Sequence, residues 1–405
     1  MSGMSDKLLV HQRIGFVGLS VMLVTINVFA ALSMDMFSPS IPTITEEFGA
    51  PETAVTMTIS VFFLFYSVGM LIFGSTSDRF GRKPMLVACL VLYIAGSFLC
   101  AASANLPMLI CCRVVQALGG GGAAAVGTAM LNDVFTPEPR EKFLMFMAVF
   151  QVIGPVIAPI IGAYIATYST WHMVFIVLGI IGAVSLVLAL LYNETLPEEK
   201  RTGGSVLASY KRMGTLLEDK SFTVFMLATV MPGVAFGSIL AVGSYIYIDI
   251  FGQTETAYGY FFAVIAIIGL VGPSLYGKIA TRFSRRRIIE VLMFLPFIGC
   301  ALILLFGHSN PFAFTACFVP VIIANATTRP AMTSILLLQC ESDSGSASGL
   351  ISFTNTIAGA VGMSIASLFS SDFIIGVAVA AGIAATASAV LWAVFCKQKM
   401  QLKGL

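Results

Sequence analysis

Long apolar runs alternate with short polar connections along almost the whole chain. An apolar run of about 20 residues can cross the hydrocarbon core of a membrane, roughly 30 Å thick, as an α-helix. The pattern predicts twelve such helices, and we therefore expect an all-α integral membrane protein. The predicted bounds are 15–41, 53–74, 84–103, 107–131, 142–166, 172–192, 221–246, 257–277, 287–307, 311–338, 346–370 and 373–396.

Two of the polar connections resemble each other, 203 positions apart from Gly74 to Gly277. Residues 74–84 read GSTSDRFGRKP and residues 277–286 read GKIATRFSRR. A repeat of this length predicts two pseudo-symmetric halves of about six helices each. The predicted organisation is an N-terminal half (1–192), a charged cytoplasmic linker (193–220) and a C-terminal half (221–405). Only the first half keeps the acid, because Thr281 stands in the place of Asp78.

The composition supports a membrane protein. The chain is 58% hydrophobic and 10% charged, whereas globular proteins average roughly 25% charged residues. The eight cysteines lie within or beside apolar runs, which indicates helix packing rather than disulfides. The three histidines are far apart in sequence, and no cysteine–histidine spacing suits a metal. We predict no metal, no cofactor and no nucleic-acid partner. The first apolar run has no small-residue cleavage site after it and is expected to remain as a helix.

The cations indicate the orientation. Of the 22 Lys and Arg residues, 20 lie in the two tails and in alternate connections that share one side of the membrane. Because cytoplasmic connections are enriched in these residues, both termini are predicted to be cytoplasmic. Arg113 and Arg329 are the exceptions, since they lie inside predicted spans. For Arg329 we favour a side chain that snorkels to the cytoplasmic end, with anion binding as the alternative.

Asp35 is the one carboxylate well inside a predicted span, with Glu290 the nearest other case. Intramembrane carboxylates are costly and usually functional. Asp35 and Arg113 each lie six residues from the outer end of their predicted helices, at a depth of roughly 9 Å. An apolar environment favours the protonated carboxyl, and a nearby cation favours the ionised one. We therefore predict that Asp35 and Arg113 couple transport to protons; an exposed helix-end charge is the alternative for Asp35.

Other polar side chains inside the spans have two possible roles. They can form helix-to-helix hydrogen bonds, worth about 0.6 kcal/mol each, or they can line a substrate cavity. Thirty-two Phe and twenty Met residues are typical of an adaptable, apolar pocket wall. The predicted cavity residues are Asn27, Tyr66, Gln116, Gln151, Phe236, Asn325 and Asn355.

Four motifs carry a resemblance to a known family. The connection at 74–84 is similar to G-x-L-x-D-R-x-G-R-R/K, with Thr76 in place of leucine. Residues 34–42 read MDMFSPSIP, residues 113–119 read RVVQALG, and residues 346–349 read SASG. The predicted fifth helix is similar to the antiporter pattern G-x-x-x-G-P-x-x-G, with alanine for its second glycine, at Gly154, Ala158, Pro159 and Gly162. Together these motifs resemble the major facilitator superfamily, and within it the twelve-span drug:proton antiporters of the Bcr/CflA type.

The resemblance implies a monomeric, proton-coupled antiporter in a bacterial cytoplasmic membrane that exports lipophilic or amphipathic small molecules by alternating access. It also implies a conformational latch. In this latch the carboxylate of Asp78 accepts hydrogen bonds from the free N–H groups at the start of the predicted helix 346–370, around residues 346–348. Arg82 faces Asp133. The alternative for Asp78 is a solvated charge in a loop. The residues assigned to the latch are Gly74, Asp78, Arg79, Gly81, Arg82 and Asp133.

Three other functions are alternatives to drug export. The same fold suits an exporter of a metabolite or siderophore, or a proton-coupled nutrient importer. A membrane transferase needs paired acids or a histidine–acid pair at one membrane face; along the sequence Asp133 stands alone, and no histidine has such a neighbour. A channel needs rings of charge or filter loops, and neither is visible. The sequence has no nucleotide-binding signature, which leaves an ion gradient as the energy source.

Overall fold

A computed structural model describes residues 15–134, 157–194, 214–279, 282–339 and 344–398, together with positions 150, 154, 196, 400 and 402. Most of these residues are helical. A 3-10 turn, Ser38–Ser40, follows the first helix, and a π-helical segment, Tyr245–Ile250, follows the eighth. The helices are α1 (Gly15–Asp35), α2 (Ile41–Phe48), α3 (Glu52–Phe80), α4 (Arg82–Ala101), α5 (Leu106–Val134), α6 (Ile157–Tyr168), α7 (Trp171–Leu191), α8 (Lys220–Ser244), α9 (Glu255–Ile279), α10 (Arg285–Phe306), α11 (Pro311–Leu337), α12 (Ser344–Ser367) and α13 (Phe373–Lys397).

The predicted fold class is confirmed. Among the described residues, ten helices are long and apolar enough to cross a membrane, and a bent pair, Gly18–Phe29 and Leu32–Phe48, makes an eleventh with an angle of 49°. The predicted span 142–166 lies largely outside the described residues, and α6 covers its described end. The observed helices are therefore consistent with twelve spans.

The first predicted helix is wrong at its end. A continuous helix was expected to residue 41, but α1 ends at Asp35 and a 3-10 turn follows. Pro39 lies in this turn, and a proline has no N–H for a helical hydrogen bond and disfavours a helical conformation in the residue before it. Asp35 is thus the last residue of α1, shortly before the 3-10 turn, and the 49° bend of this crossing lies earlier, between Phe29 and Leu32.

The connection at 74–84 is also shorter than predicted. Helix α3 continues to Phe80 and α4 starts at Arg82, so Gly81 alone separates them. The backbone φ of Gly81 is 101°, a conformation that a residue with a Cβ adopts only at a cost. The polar motif therefore extends two helices and does not form a flexible loop.

The chain folds into two compact units. Unit one comprises the described parts of Met1–Ser40 and Val61–Ala208, and unit two comprises those of Ile41–Ser60 and Ser209–Leu405. Unit two thus takes in a segment of the first sequence half. The predicted linker, 193–220, lies largely outside the described residues, and the predicted boundaries stay predictions.

Glycines set the helix packing in both units. In unit one, a Cβ at Gly121 of α5 would lie 1.9 Å from the carbonyl oxygen of Tyr66 in α3. In unit two, a Cβ at Gly362 of α12 would lie 1.8 Å from the carbonyl oxygen of Val234 in α8. Small residues allow such close backbone approach between membrane helices. These crossings hold α5 and α12 at fixed positions beside their neighbours.

Candidate functional site

Arg113 lies in the core of unit one, enclosed by aromatic rings. Its side chain on α5 is fully buried, at 0% exposure. The guanidinium carbon lies 4.4 Å from the ring centroid of Phe62, 4.6 Å from that of Phe37 and 5.5 Å from that of Phe175. A cation within about 6 Å of an aromatic face is stabilised by the ring quadrupole, more strongly where water is absent. We call Arg113 and these three rings the arginine box.

Neutral groups accept the hydrogen bonds of Arg113. One terminal nitrogen donates to the carbonyl oxygen of Ser33 at 3.0 Å and to Oε1 of Gln116 at 2.9 Å. Gln116 in turn donates to the hydroxyl of Ser97 at 2.9 Å. The Nε of Arg113 has no partner among the described residues. The network fixes the arginine in place without a carboxylate, so its positive charge is not neutralised by an ion pair there.

Asp35 lies two residues after Ser33, whose carbonyl binds Arg113. Its side chain is buried, at 6% exposure. Across the described residues, its carboxylate has neither a hydrogen bond nor an ion pair. The structure therefore places Asp35 two residues along α1 from the carbonyl that binds Arg113, and no ion pair is found between these two buried side chains.

Helix α6 packs directly against the backbone of the residue that follows Asp35. A Cβ at Gly162 would lie 2.1 Å from the carbonyl oxygen of Met36. Ala158 and Pro159 are buried, and Gly154 is half-buried. The small residues of the antiporter-like motif thus allow α6 to contact the backbone next to the acid.

The predicted cavity residues of unit two converge from three helices. A Cβ at Gly233 of α8 would lie 3.6 Å from Oδ1 of Asn325 on α11 and 3.9 Å from the carbonyl oxygen of Asn355 on α12. Phe236 stacks on Phe318 with ring centroids 6.5 Å apart. The two asparagines and Phe236 are half-buried. The amide of Asn325 and the backbone of Asn355 therefore both lie next to Gly233, on half-buried helix faces.

Arg329 lies one helical turn beyond Asn325 on α11. The residue is exposed, and its side chain makes no polar contact with any described residue. The favoured interpretation, that it snorkels to one membrane face, stays a prediction.

The remaining predicted cavity residues differ in what surrounds them. Asn27 is half-buried and donates to Leu23 O in its own helix at 2.9 Å. Tyr66 is buried and stacks on Phe62 of the arginine box with centroids 5.8 Å apart. Gln116 belongs to the network around Arg113. Gln151 lies outside the described residues.

The junction between α3 and α4 holds a network of ion pairs. Arg82 contacts Asp133 of α5, with Nε 2.7 Å from Oδ2, and Asp78, with NH1 2.6 Å from Oδ1. The hydroxyl of Ser77 accepts from the same guanidinium at 2.7 Å. The expected contact between Arg82 and Asp133 is thus present. Gly74 and Arg79 lie on α3 in the two turns before this junction.

The sequence itself identifies the family. The chain matches the family model of the Major Facilitator Superfamily over residues 23–363. The chain belongs to the Major Facilitator Superfamily. It is accordingly a membrane transporter and not an enzyme.

Relatives and solved structures agree with this membership. The uncharacterized MFS-type transporter YdgK of Bacillus subtilis (strain 168) is 28% identical over 353 residues, which cover 85% of this chain and 87% of the relative. A crystal structure of a POT family transporter in complex with a thioalcohol conjugated peptide has a TM-score of 0.75 at 16% identity, covering 95% and 97% of the two chains. The crystal structure of a D-xylose-proton symporter has a TM-score of 0.72 at 14% identity, covering 93% and 97%. At these identities the structures show a shared fold alone.

Sequence reasoning about this superfamily member missed Glu194, which follows α7. Its carboxylate accepts from the backbone N–H groups of Arg82 and Lys83, each at 3.1 Å, and therefore caps the N-terminus of α4. Lys83 also donates from Nζ to Leu190 O at 2.8 Å. The sequence does carry a signal for this contact. Glu194 lies just after the predicted span 172–192, and that span ends on the same predicted membrane face as the basic connection 74–84.

The aromatic rings around Arg113 were missed as well. The superfamily motif marks Arg113, but Phe37, Phe62 and Phe175 come from three separate segments, and they are three of thirty-two phenylalanines. The described residues contain no group of three or more His, Cys, Asp or Glu that could hold a metal. Unit one thus holds a buried carboxylate at Asp35 and a fully buried arginine, Arg113, that neutral acceptors keep in place.

Proposed function

We propose that this superfamily member exchanges protons for lipophilic or amphipathic small molecules, which it exports by alternating access. It would act as a monomer in a bacterial cytoplasmic membrane, with both termini in the cytoplasm. The observation that carries the proposal is the buried carboxylate of Asp35, which has no ion pair with any described residue and lies two residues from the carbonyl that binds Arg113.

The charge of Asp35 needs compensation in a membrane. An ionised carboxylate inside a membrane protein is costly unless a cation compensates it. Asp35 can meet this requirement in two ways, by binding a proton or by gaining a cationic partner. A site with these two alternatives can exchange a proton for a change in structure or for a charged ligand.

Arg113 is the candidate cationic partner. It donates hydrogen bonds to Ser33 O, Gln116 Oε1 and Met34 Sδ, and neutral acceptors hold a cation less strongly than a carboxylate does. Rearrangement of the chain between Asp35 and the 3-10 turn can therefore exchange the neutral contacts of Arg113 for a contact with the carboxylate of Asp35. Tight packing of Gly162 against Met36 links such a rearrangement to α6.

Unit two offers aromatic and amide groups to a ligand. Phe236, Asn325 and Asn355 present aromatic and amide groups on half-buried faces of unit two. Sites of this kind bind apolar ligands and orient them with a few polar groups. These features favour lipophilic compounds with a small number of hydrogen-bonding groups.

Transport into inverted membrane vesicles tests the proposal. Vesicles that contain the protein, with an imposed pH gradient that is acidic inside, should accumulate at least one member of a panel of phenicols, lipophilic cations and fluoroquinolones. A protonophore should abolish the accumulation. Transport in the opposite direction, or transport that ignores the protonophore, would support an importer or an uncoupled carrier instead.

The orientation gives a separate prediction. In a chain with its native cysteines replaced, a cysteine at Ser309 should react with an impermeant thiol reagent added outside intact cells. A cysteine at Thr202 should react only after the membrane is opened, because the flanking cations favour the cytoplasmic side. Labelling in the reverse pattern would invert the orientation.

The proposed latch predicts a specific kinetic defect. Asp78→Asn should lower the turnover number several-fold and leave ligand affinity nearly unchanged, because Asp78 lies at the α3–α4 junction and not beside Asp35. Transport rates and ligand binding on the same preparation measure the two effects. Thr281→Asp should not restore turnover, since position 281 belongs to the copy of the motif in the other sequence half. Normal turnover of the Asp78 variant would assign this residue to a solvated charge.

A further inference from the structure

A groove runs between α10 and α13 in unit two, apart from the arginine box and the α3–α4 junction. Its volume is about 290 Å³. The walls are mainly apolar, with one acid, Glu290. They include Met293 and Phe294 from α10, and Ala389, Trp392 and Ala393 from α13. Phe294 is 59% exposed, so the groove opens to the surroundings of the helices. In a membrane protein, those surroundings are lipid.

The acid in the groove already has its partners. Oε1 of Glu290 accepts from Nε of Arg286 and from Nε1 of Trp392, each at 3.3 Å. The guanidinium carbon of Arg286 lies 5.9 Å from the Trp392 ring centroid, and NH2 lies 3.1 Å from Sγ of Cys396. Arg286 is therefore held across one end of the groove, from α10 to the last turn of α13.

Cations outnumber acids at this end of the groove. Arg285, Arg286 and Arg287 form the first turn of α10 and are exposed, and so is Lys397, which follows Cys396 on α13. Among the described residues, Glu290 is the only acid that lines the groove. The helix N-terminus adds further positive potential to the arginines. An anionic group would thus be attracted to the end of an apolar channel.

We propose that the groove between α10 and α13 binds an anionic membrane phospholipid. The phosphate of the headgroup contacts Arg286 at the start of α10, and part of an acyl chain lies along Phe294, Ala389 and Ala393. Guanidinium groups bind phosphate oxygens with paired hydrogen bonds. Tryptophans favour the depth where headgroups meet acyl chains, and basic pockets between membrane helices bind anionic headgroups. Charge complementarity and the apolar walls together select a lipid.

Trp392 provides a direct probe of this groove, because the chain has only one other tryptophan, Trp171. In the Trp171→Phe variant all tryptophan fluorescence comes from Trp392. The protein is reconstituted in dioleoyl-phosphatidylcholine with increasing fractions of brominated phosphatidylglycerol or, separately, brominated phosphatidylcholine. Bromine quenches a tryptophan that it contacts. The phosphatidylglycerol is expected to bind about fivefold more tightly than the phosphatidylcholine, from roughly 1 kcal/mol per engaged arginine.

Two variants separate the headgroup from the chain. Arg286→Gln should reduce the preference for phosphatidylglycerol about fivefold, towards that of a nonselective lipid contact. Ala389→Leu narrows the groove, keeps every charge and should reduce quenching by both lipids. The matched controls are Lys220→Gln, an exposed cation on α8, and Val390→Leu, an exposed residue of α13 outside the groove. Neither control should change the preference.

Three results would overturn the proposal. Equal quenching by the two brominated lipids would show that the site does not select an anion. A preference that survives both Arg286→Gln and Ala389→Leu would place the lipid elsewhere. Loss of quenching on addition of inorganic phosphate, but not of chloride at the same ionic strength, would show a site for the free anion. If Trp171→Phe does not fold, native mass spectrometry of the unsubstituted chain with the same two lipids makes the same comparison.

Discussion

Asp35→Asn is expected to abolish proton-driven accumulation in inverted vesicles, to the level of vesicles without the protein. Asparagine has nearly the same shape as aspartate and cannot ionise, so the fold should persist while proton exchange is lost. Binding of a neutral ligand should survive and should no longer depend on pH. The measurements are transport under an imposed pH gradient and ligand binding in detergent over a range of pH.

A matched control separates Asp35 from other acids. Asp249 lies at the exposed end of the π-helical segment, and Asp249→Asn should transport as the unsubstituted protein does. If ligand binding by Asp35→Asn keeps the pH dependence of the unsubstituted protein, the proton is carried elsewhere. Glu290 would then be the next acid to replace.

Arg113→Ala is expected to have the second large effect, on both stability and transport. The substitution removes a fully buried side chain from among three rings and leaves Ser33 O and Gln116 Oε1 without a donor. Each unpaired buried acceptor costs about 1–3 kcal/mol, and the cavity adds to this. We expect a clearly lower thermal unfolding temperature in detergent and transport reduced at least about tenfold.

Arg113→Lys tests whether the charge alone is sufficient. Lysine keeps the cation but lacks the planar group that stacks on rings and donates in fixed directions. We expect partial recovery of both stability and transport. Gln116→Leu is the control for packing. It removes one hydrogen-bond acceptor of Arg113 and keeps the arginine itself. Full transport by Arg113→Ala would contradict the role of this residue in coupling, even if its stability falls.

The spans could be predicted from sequence because a membrane helix needs a long apolar run, and this signal is local. The errors arise where one residue interrupts or permits a helix. Pro39 ends α1 early. Helix α3 continues past its apolar part, through the polar residues 75–79, to Phe80. Hydropathy does not detect either effect.

The candidate site was predictable for the charged residues and not for their surroundings. An acid or an arginine within an apolar run stands out in the sequence, as Asp35 and Arg113 do. The rings of Phe62 and Phe175 meet Arg113 only after three helices have packed, and phenylalanine is common throughout this chain.

The single residue between α3 and α4 has a consequence for how this protein can vary. Surface loops usually tolerate insertions, but Gly81 is the entire connection. One added helical residue would turn α4 by about 100° relative to α3. Arg82 would then move away from Asp133, and the capped start of α4 would move away from Glu194. Length variation among homologues is therefore expected to be absent at this junction, although substitutions on its exposed side are tolerated.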